Sequence, residues 1–250
     1  MTPDELSAKL ARLEELETNF AAALEREKLT AIYQLAYGLS HEFNNPLANI
    51  SSRAQTLLLD EKDPERRRRL ATINAQAFRA HEMIADLMLF AKPPRLERQA
   101  VDLSVLLPQW VAEMQSLASE QATELILELP IVAPPLMADP NYLAEAIKAV
   151  IKNAFEALGE GGQVTISAIA SHQNDDNHVA IVIRDNGPGI PPEVRRHLFD
   201  PYFSGREAGR GLGLGLSKCW RILDEHGGRV EVASEVGQGA EFRLTLPITS

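Results

Sequence analysis

An imidazole, a carboxylate and a carboxamide lie within five residues of each other, at His41, Glu42 and Asn45. In a helix, Asn45 would lie one turn beyond His41 on the same face, with Glu42 beside that face. Pro46 falls inside this helix, where a proline costs about 3 kcal/mol or more and frees a backbone carbonyl one turn earlier. The chemistry that these groups offer is nucleophilic catalysis by the imidazole, with the carboxylate holding the other ring nitrogen and its proton.

The helix that must position these groups has a narrow seam, in which apolar residues recur at steps of three and four. We assign to this seam Leu29, Ile32, Ala36, Leu39, Phe43, Pro46, Ile50 and Leu57. Because His41 lies two residues from Leu39 and from Phe43, its side chain is expected to point away from the seam. A shorter coiled-coil rhythm over residues 6–24 comes before it, with a stutter predicted between Leu24 and Leu29.

A second helix is predicted after the turn at residues 60–65, and Pro93-Pro94 ends it. Its apolar residues, again three and four apart, are Leu70, Ile73, Ala77, Ala80, Ile84, Leu87 and Ala91. Two helices joined by a short turn form an antiparallel hairpin, and one hairpin cannot close a core around so long a seam. We therefore predict a homodimer in which two hairpins form a four-helix bundle.

From Val101 onward, strands are mixed with long helices, which predicts an α/β sandwich with a mixed sheet and one covered sheet face. The polar segment 171–178, with His172 and His178, is predicted to be a solvated turn, and Ser104 is predicted to cap a helix. Helices are predicted at 104–121, 140–158 and 217–225, and strands at 124–129, 164–170, 179–184, 229–233 and 241–246. The predicted domains are an N-terminal coiled coil at 1–27, the hairpin at 28–92, a linker at 93–100 and the α/β domain at 101–250.

Two glycine-rich segments in the second half could bind a ligand that carries phosphate. Asp185 ends a predicted strand and is followed by Gly187 and Gly189, whose backbone can approach a planar ligand closely while the carboxylate accepts a hydrogen bond from an exocyclic amine. Glycine alternates with leucine at 211–215 before a helix, and the backbone N–H groups at a helix N-terminus bind phosphate. Neither segment is a Walker or a Rossmann motif.

A carboxamide and a carboxylate lie in the helix before the first glycine turn, at Asn153 and Glu156. Oxygen ligands of this kind suit Mg²⁺, which keeps several of its waters when it binds to a protein. An asparagine on a helix is otherwise unremarkable, so this assignment depends on the other motifs.

The composition restricts the partners and the location. A formal net charge of −10 makes nucleic acid an unexpected partner. The single cysteine, Cys219, excludes an internal disulfide and fits a reducing compartment, where we expect it to be a small buried side chain. No apolar run approaches the roughly 18 residues of a membrane span, so we expect a cytoplasmic protein without a membrane segment. Its input is then expected from a separate sensory protein or through the N-terminal coil.

The motifs, taken together, resemble the characteristic sequence motifs of the sensor histidine kinases in their order and spacing. The resemblance covers about residues 28–247, which is nearly the whole chain. The segments that carry it are His41-Glu42-Phe43-Asn44-Asn45-Pro46, Asn153-Ala154-Phe155-Glu156-Ala157, Asp185-Asn186-Gly187-Pro188-Gly189, Phe199-Asp200-Pro201-Tyr202-Phe203 and Gly211-Leu212-Gly213-Leu214-Gly215.

This resemblance implies a phosphotransfer hairpin and an ATP-binding domain of the type shared with Hsp90, gyrase and MutL. It implies that His41 is the phosphoacceptor, that Glu42 orients the ring and takes its proton, and that Asn45 aligns water for dephosphorylation of a response regulator. It also implies that Asn153 holds Mg²⁺ and that an aspartate of a separate response regulator receives the phosphoryl group. The residues implied to contact ATP are Asp185, Gly187, Gly189, Phe199, Phe203, Arg206, Gly211, Gly213 and Gly215.

Three positions depart from the pattern of the family. Ala149 stands where many relatives have a second asparagine one turn before the Mg²⁺ ligand, and Leu212 stands where a small hydroxyl residue is common. Ser204-Gly205-Arg206 replaces a Thr-Thr-Lys segment, so Arg206 or Arg210 is expected to supply the cation near the γ-phosphate. None of these changes affects the phosphoacceptor or the aspartate expected to bind adenine.

Other functions stay open at this point. The chain could be a dimeric scaffold that binds a nucleotide, or an ATPase or serine-kinase regulator that shares only the nucleotide fold. A kinase that works mainly as a phosphatase would carry the same residues, since Asn45 serves that reaction.

Overall fold

The structure is a computed structural model that describes residues 3–91, 95–129, 133–173, 176–201, 203 and 213–248. In the long N-terminal helix, the side chains of His41 and of several other residues lie outside this description. The chain divides into two compact units, Met1–Lys92 and Pro93–Ser250. Among the described residues, no helix has an apolar stretch long enough to cross a membrane.

The first unit is a hairpin of two helices, α1 (Pro3–Asp60) and α2 (Pro64–Ala91), which confirms the predicted helical hairpin. α1 is assigned as one helix through the predicted stutter and through Pro46. The second helix begins after Asp63, whose carboxylate accepts the backbone N–H groups of Glu65 and Arg66 at 2.9 Å each. This is a helix N-cap, and it ends the turn at a defined residue.

The row of α1 residues buried in the hairpin lies next to the predicted apolar seam. Ala36 belongs to the seam and is buried, but the other buried positions include Ser40 and Ala54, which the seam lacks. Besides Pro46, three seam residues are exposed in this single chain: Phe43 (49% exposed), Ile50 (46%) and Leu57 (59%). We call these three residues the exposed stripe of α1.

Polar pairs link the two helices inside the hairpin. The Ser51 hydroxyl donates to the Asn74 side-chain oxygen at 2.7 Å, and His81 Nδ1 lies 2.9 Å from the side-chain oxygen of Asn44. Since that oxygen can only accept, the imidazole nitrogen must carry the proton. The contact between α1 and α2 is therefore partly polar, although the larger apolar side chains of α1 lie beside it.

The second unit is built on a five-stranded mixed sheet, which confirms the predicted fold class. The strands, in their order across the sheet, are β2 (Glu124–Leu127), β4 (Gln163–Gln173), β5 (Asp176–Asp185), β7 (Ala240–Pro247) and β6 (Arg229–Ser234). Among these described strands only the pair of β2 and β4 is parallel, while β4–β5, β5–β7 and β7–β6 are antiparallel.

Helices pack on the sheet and close the core of this unit. The longest is α5 (Pro140–Leu158), which packs against α7 (Gly215–Glu225). The row Ile166, Ile183 and Phe242 crosses three neighbouring strands, and each of these side chains is at most 1% exposed. Alternation along β4 and β7 turns apolar residues toward the core, as the pattern of period two predicts. The other helices are α3 (Leu103–Ala112), α4 (Gln115–Glu120) and α6 (Pro192–Arg195).

Cys219 lies in this core, on α7, and its side chain is fully buried. Burial raises the pKa of the thiol to about 12, so the thiolate is not populated near neutral pH. This position agrees with the small buried side chain expected from the sequence.

The structure corrects three local predictions. The predicted helix 104–121 is divided into two helices, α3 and α4. The N-cap of α3 is Asp102 instead of Ser104, because the carboxylate of Asp102 accepts the Ser104 N–H at 2.9 Å. The predicted polar turn is mostly strand, since His172 and His178 belong to β4 and β5, where backbone pairing continues to the register Gln173↔Asp176. An additional two-stranded sheet pairs β1 (Gln99–Val101) with β3 (Leu136–Ala138), and strands of three residues are too short for a periodic pattern.

Candidate functional site

The strand β5 ends in a buried carboxylate followed by the first glycine turn. Asp185 is 4% exposed, and one of its carboxylate oxygens accepts the Gly187 N–H at 2.9 Å. Burial raises the pKa of Asp185, and hydrogen bonds from the backbone N–H groups of Gly187 and Ala240 partly oppose this effect. The result is an oriented acceptor at the end of a central strand, as the sequence predicts.

Close backbone packing explains the glycines around this carboxylate. Gly189 has a φ of +74°, and a side-chain Cβ there would lie 2.0 Å from the carbonyl oxygen of Glu235. Gly239 has a φ of +79°, and its Cβ would lie 1.9 Å from the carbonyl oxygen of Asp185. No other residue type could occupy either position without moving the backbone. The turn after β5 and the turn between β6 and β7 are thus fitted against each other.

A serine that the sequence analysis did not single out joins these two turns. The Ile190 N–H donates to the Ser234 hydroxyl at 2.9 Å, and that hydroxyl donates to the Gly239 carbonyl at 2.6 Å. The Gly237 N–H also donates to the Pro188 carbonyl at 2.7 Å. The sequence feature that could have indicated this serine is a hydroxyl residue at the end of a predicted strand, shortly before two glycines. Its partner lies 44 residues away, which a local pattern cannot reveal.

The helix α5 brings Asn153 and Glu156 toward the same turn. Both side chains are half-exposed and lie one turn apart, and α5 ends at Leu158, whose methyl group would be 3.5 Å from a Cβ placed on Gly187. Their oxygen atoms are the type of ligand that Mg²⁺ prefers. Ala149, one turn earlier, has no such atom, and the described residues hold no cluster of three His, Cys, Asp or Glu that would bind a metal alone. A cation here would need further oxygens from a bound phosphate and from water.

The described part of the second glycine segment leads into α7. The helix begins at Gly215, and the preceding Leu214 makes no side-chain cap hydrogen bond. The N–H groups in the first turn of a helix are a common binding site for an anion. Lys218 on this helix is 8% exposed and pairs with Glu145 of α5 at 3.2 Å, a contact that the sequence analysis missed. Gly213 is described, whereas the predicted site residues Arg206 and Gly211, and Arg210 with them, lie outside the described residues.

The two phenylalanines predicted to contact ATP are half-buried in the segment after α6. The ring of Phe203 lies 5.6 Å from that of His197, and His197 Nδ1 lies 2.7 Å from a carboxylate oxygen of Asp200. Phe199 stands in the same segment. A role of Phe199 and Phe203 in nucleotide binding stays a prediction.

On the hairpin, the predicted catalytic residues lie along α1. Glu42 and Asn45 are exposed, while Asn44 between them is half-buried and bound to His81. His41 lies in the same helix, and the predicted direction of its side chain concerns atoms outside the described part of the structure. The exposed carboxylate and carboxamide are thus accessible to another molecule.

Comparison with known proteins finds a family model for each half of the chain. The family model of the His Kinase A (phospho-acceptor) domain matches residues 31–95, and that of the histidine kinase-, DNA gyrase B- and HSP90-like ATPase matches residues 138–250. The signal transduction histidine-protein kinase AtoS of Escherichia coli (strain K12) is 32% identical over 90% of this chain and 36% of its own length. Sporulation kinase C of Bacillus subtilis (strain 168) is 31% identical over 97% of this chain. The chain spans 55% of that relative.

A solved structure resembles the chain across both units. Full-length ShkA in complex with AMPPNP superimposes with a TM-score of 0.73 at 27% identity, over 87% of this chain and 46% of ShkA. The motifs, the helical hairpin, the mixed sheet with its buried aspartate and the two family models agree with each other. The resemblance stated from the sequence is therefore confirmed, and the chain belongs to the sensor histidine kinases of two-component systems.

Proposed function

We propose that this chain is an ATP-dependent protein-histidine kinase that phosphorylates His41 and passes the phosphoryl group to an aspartate of a response regulator. One observation carries this proposal. The buried carboxylate of Asp185 ends a strand beside a glycine turn in the ATPase unit, and the same chain has a helical hairpin in which Glu42 and Asn45, one and four residues after His41, are exposed.

The nucleotide is held by Asp185 and by the start of α7. The ionised carboxylate of Asp185 accepts a hydrogen bond from the exocyclic amine of adenine, and the Gly187 N–H keeps it in place. The backbone from Gly211 to Gly215 and the N–H groups at the start of α7 bind the phosphates. Arg206 or Arg210 supplies a cation to the γ-phosphate. The AMPPNP bound to ShkA supports an adenine nucleotide as the ligand.

Asn153, with Glu156 one turn away, would hold Mg²⁺ together with phosphate oxygens and water. When bound, Mg²⁺ neutralises negative charge on the β- and γ-phosphates. The oxygen atoms of both side chains suit this ion, whereas the protein alone offers too few ligands, so the affinity for Mg²⁺ should depend on bound nucleotide.

The reaction at His41 exchanges one bond to phosphorus for another. A ring nitrogen attacks the γ-phosphorus in line with the leaving ADP, so a nitrogen–phosphorus bond forms while the bond to the β,γ-bridging oxygen breaks. Glu42 orients the ring through the other nitrogen and takes its proton. Asn45, one turn along the helix, aligns water for hydrolysis of the phosphorylated response regulator, so the protein also acts as a phosphatase.

The exposed stripe of α1 supports a homodimer. Phe43, Ile50 and Leu57 are spaced by seven residues, and two copies of this hairpin would cover them in a four-helix bundle. Residues 1–27 form the signal helix in this arrangement, 28–92 the phosphotransfer hairpin, 93–100 the linker and 101–250 the ATP-binding domain. A separate sensory protein and a cytoplasmic location stay predictions.

Incubation of the full chain with γ-labelled ATP and Mg²⁺ tests the proposal. We expect a label that is lost in acid and stable in alkali, as a phosphohistidine is, and His41→Gln should abolish it. His81→Gln is the matched control, since His81 lies in the same hairpin and should leave the label unchanged.

Other outcomes separate the remaining functions. A label that survives acid would indicate a serine kinase, and nucleotide binding without any label would indicate a scaffold. Either result contradicts the proposal.

A further inference from the structure

Two buried polar side chains, Asp139 and His226, meet where α5 begins and α7 ends, with 3% and 2% of their surfaces exposed. His226 Nδ1 lies 2.7 Å from the Ile222 carbonyl oxygen, and Nε2 accepts the backbone N–H of Asp139 at 3.0 Å. Because the carbonyl can only accept and the N–H can only donate, the ring is neutral and its proton is on Nδ1. Burial lowers the pKa of His226, which agrees with a neutral ring.

The same junction holds the segment that follows the hairpin in sequence. One oxygen of Asp139 caps α5 by accepting the N–H groups of Asn141 and Tyr142, at 3.0 and 3.3 Å. The other oxygen accepts the Glu97 N–H at 2.9 Å, and the Arg98 guanidinium donates to the Glu225 carbonyl at 2.7 Å. Residues 97 and 98 are therefore bonded to the first turn of α5 and to the last turn of α7.

The two helices run antiparallel from this junction. Asp139 meets His226, and further along Glu145 of α5 meets Lys218 of α7, so residue numbers rise on α5 as they fall on α7. The opposite end of the pair carries Gly215, at the start of α7, and the later turns of α5 with Asn153. A rotation of α7 at the junction would therefore change the spacing between the groups expected to bind phosphate and Mg²⁺.

We propose that Asp139 and His226 are positioning residues, through which the linker sets the spacing of α5 and α7 and thereby the affinity for ATP. This proposal rests on the proposed function, because it assumes that the far end of the helix pair binds the nucleotide. It assigns a physical route by which residues 97 and 98 of the linker act on the nucleotide site. Neither side chain needs to touch the nucleotide itself.

The substitution Asp139→Asn separates the linker from the helix cap. Asparagine caps a helix as well as aspartate does, but its NH₂ group would face the Glu97 N–H, so two donors would oppose each other. We expect the Kd of the full chain for a fluorescent ATP analogue with Mg²⁺ to rise by about two- to thirty-fold, the range that coupling through a packed network spans. Arg98→Ala, at an exposed position, should shift the Kd in the same direction. Gln99→Ala, on the same segment and outside the junction, should leave it unchanged.

Two substitutions of His226 distinguish positioning from general support of the fold. In His226→Gln an amide oxygen can still reach the Asp139 N–H, whereas the shorter side chain of His226→Asn keeps only the donor toward Ile222. We expect His226→Asn to raise the KM for ATP more than it lowers kcat, and His226→Gln to restore most of the loss. Thermal unfolding of each variant verifies that the chain is folded.

The proposal is overturned if Asp139→Asn and Arg98→Ala bind the analogue as tightly as the wild type, or if folded His226→Gln and His226→Asn are equally impaired. Nucleotide binding without phosphohistidine in the wild type would contradict the proposed kinase. The affinities of the variants would still decide the role of the junction in that case.

Discussion

The two units of this chain reach their stability in different ways. In the ATPase unit two phenylalanine side chains are enclosed by the unit itself, since Phe155 and Phe242 are at most 1% exposed. In the hairpin Phe43 and Phe78 are 49% and 55% exposed, while hydrogen bonds among serine, asparagine and histidine side chains link the two helices. One unit completes its core within a single chain, whereas the other exposes apolar surface that a second molecule can cover.

This difference can be measured because the two units report separately. Both tryptophans of the chain, Trp110 and Trp220, belong to the second unit. Their fluorescence therefore follows the unfolding of the ATPase unit, while circular dichroism at a helical band is weighted toward the long helices of the hairpin.

The largest effect is expected in the closed core. Phe242→Ala should lower the free energy of unfolding of the second unit by about 3–5 kcal/mol, because it leaves a cavity that the sheet cannot close. Denaturant unfolding followed by tryptophan fluorescence measures the change. Phe78→Ala, at an exposed site of α2, should leave this transition in place, and an equal loss there would contradict the contrast between the units.

A smaller effect, dependent on protein concentration, is expected on the exposed stripe. Ile50→Lys should weaken self-association by about ten- to a hundred-fold. Full burial of an isoleucine contributes about 1.5–3 kcal/mol, but Ile50 is 46% exposed in the single chain, so each of the two copies loses only about half of this contribution. Sedimentation equilibrium measures the dissociation constant. Leu59→Lys is the matched control, because Leu59 is 83% exposed and lies off the stripe. Equal weakening by both substitutions would place the contact elsewhere on α1.

Lowering the pH should change the nucleotide affinity and the stability in opposite directions through Asp185. Its pKa is raised above the ordinary value of 3.8, so protonation and loss of the adenine acceptor begin at a higher pH than for an exposed aspartate. Below that pKa the affinity for an ATP analogue should fall by up to about ten-fold per pH unit. The folded state binds this proton more readily than the unfolded state, so the contribution of Asp185 to the free energy of unfolding rises as the pH falls through the same window.

The comparison of wild type with Asp185→Asn isolates these two contributions. Nucleotide titrations and tryptophan-monitored unfolding between pH 7 and 4 provide both quantities. An affinity that depends on pH in the same way in the variant and in the wild type would show that another group is responsible.

The smallest effect is expected inside the hairpin. Asn74→Ala removes the acceptor of the Ser51 hydroxyl, and a hydrogen bond of this kind contributes about 1 kcal/mol to stability. Thermal unfolding followed by circular dichroism should show a small decrease in the helical transition. Gln76→Ala, exposed on the same helix, should change it less. If the two variants were equal, the polar pair would contribute nothing to the hairpin.

The same contrast explains how far the sequence could predict the structure. The sheet and the Asp185 turn were predictable because alternating side chains and glycine positions are local signals, read within a few residues. The hairpin was predictable as a pair of helices, but its buried row was not, because Ser40 is small and polar and the larger apolar residues beside it are exposed.

The remaining features depend on contacts between distant parts of the chain. Asp139 directly precedes the predicted helix 140–158 and His226 directly follows the predicted helix 217–225, and 87 residues separate them. The strand β1 has three residues, and its partner β3 also has three, so neither has a pattern of its own. Backbone pairing and tertiary hydrogen bonds create these features, and no single segment encodes them.

The burial of Cys219 has a practical consequence for spectroscopy. Its thiol is enclosed and has a pKa near 12, so maleimide reagents should not modify it while the protein is folded. A cysteine introduced at position 59, which is exposed and lies off the stripe, would then be the one reactive thiol among otherwise native residues. Spin labels placed there would report distances between two associated chains without prior removal of the natural cysteine.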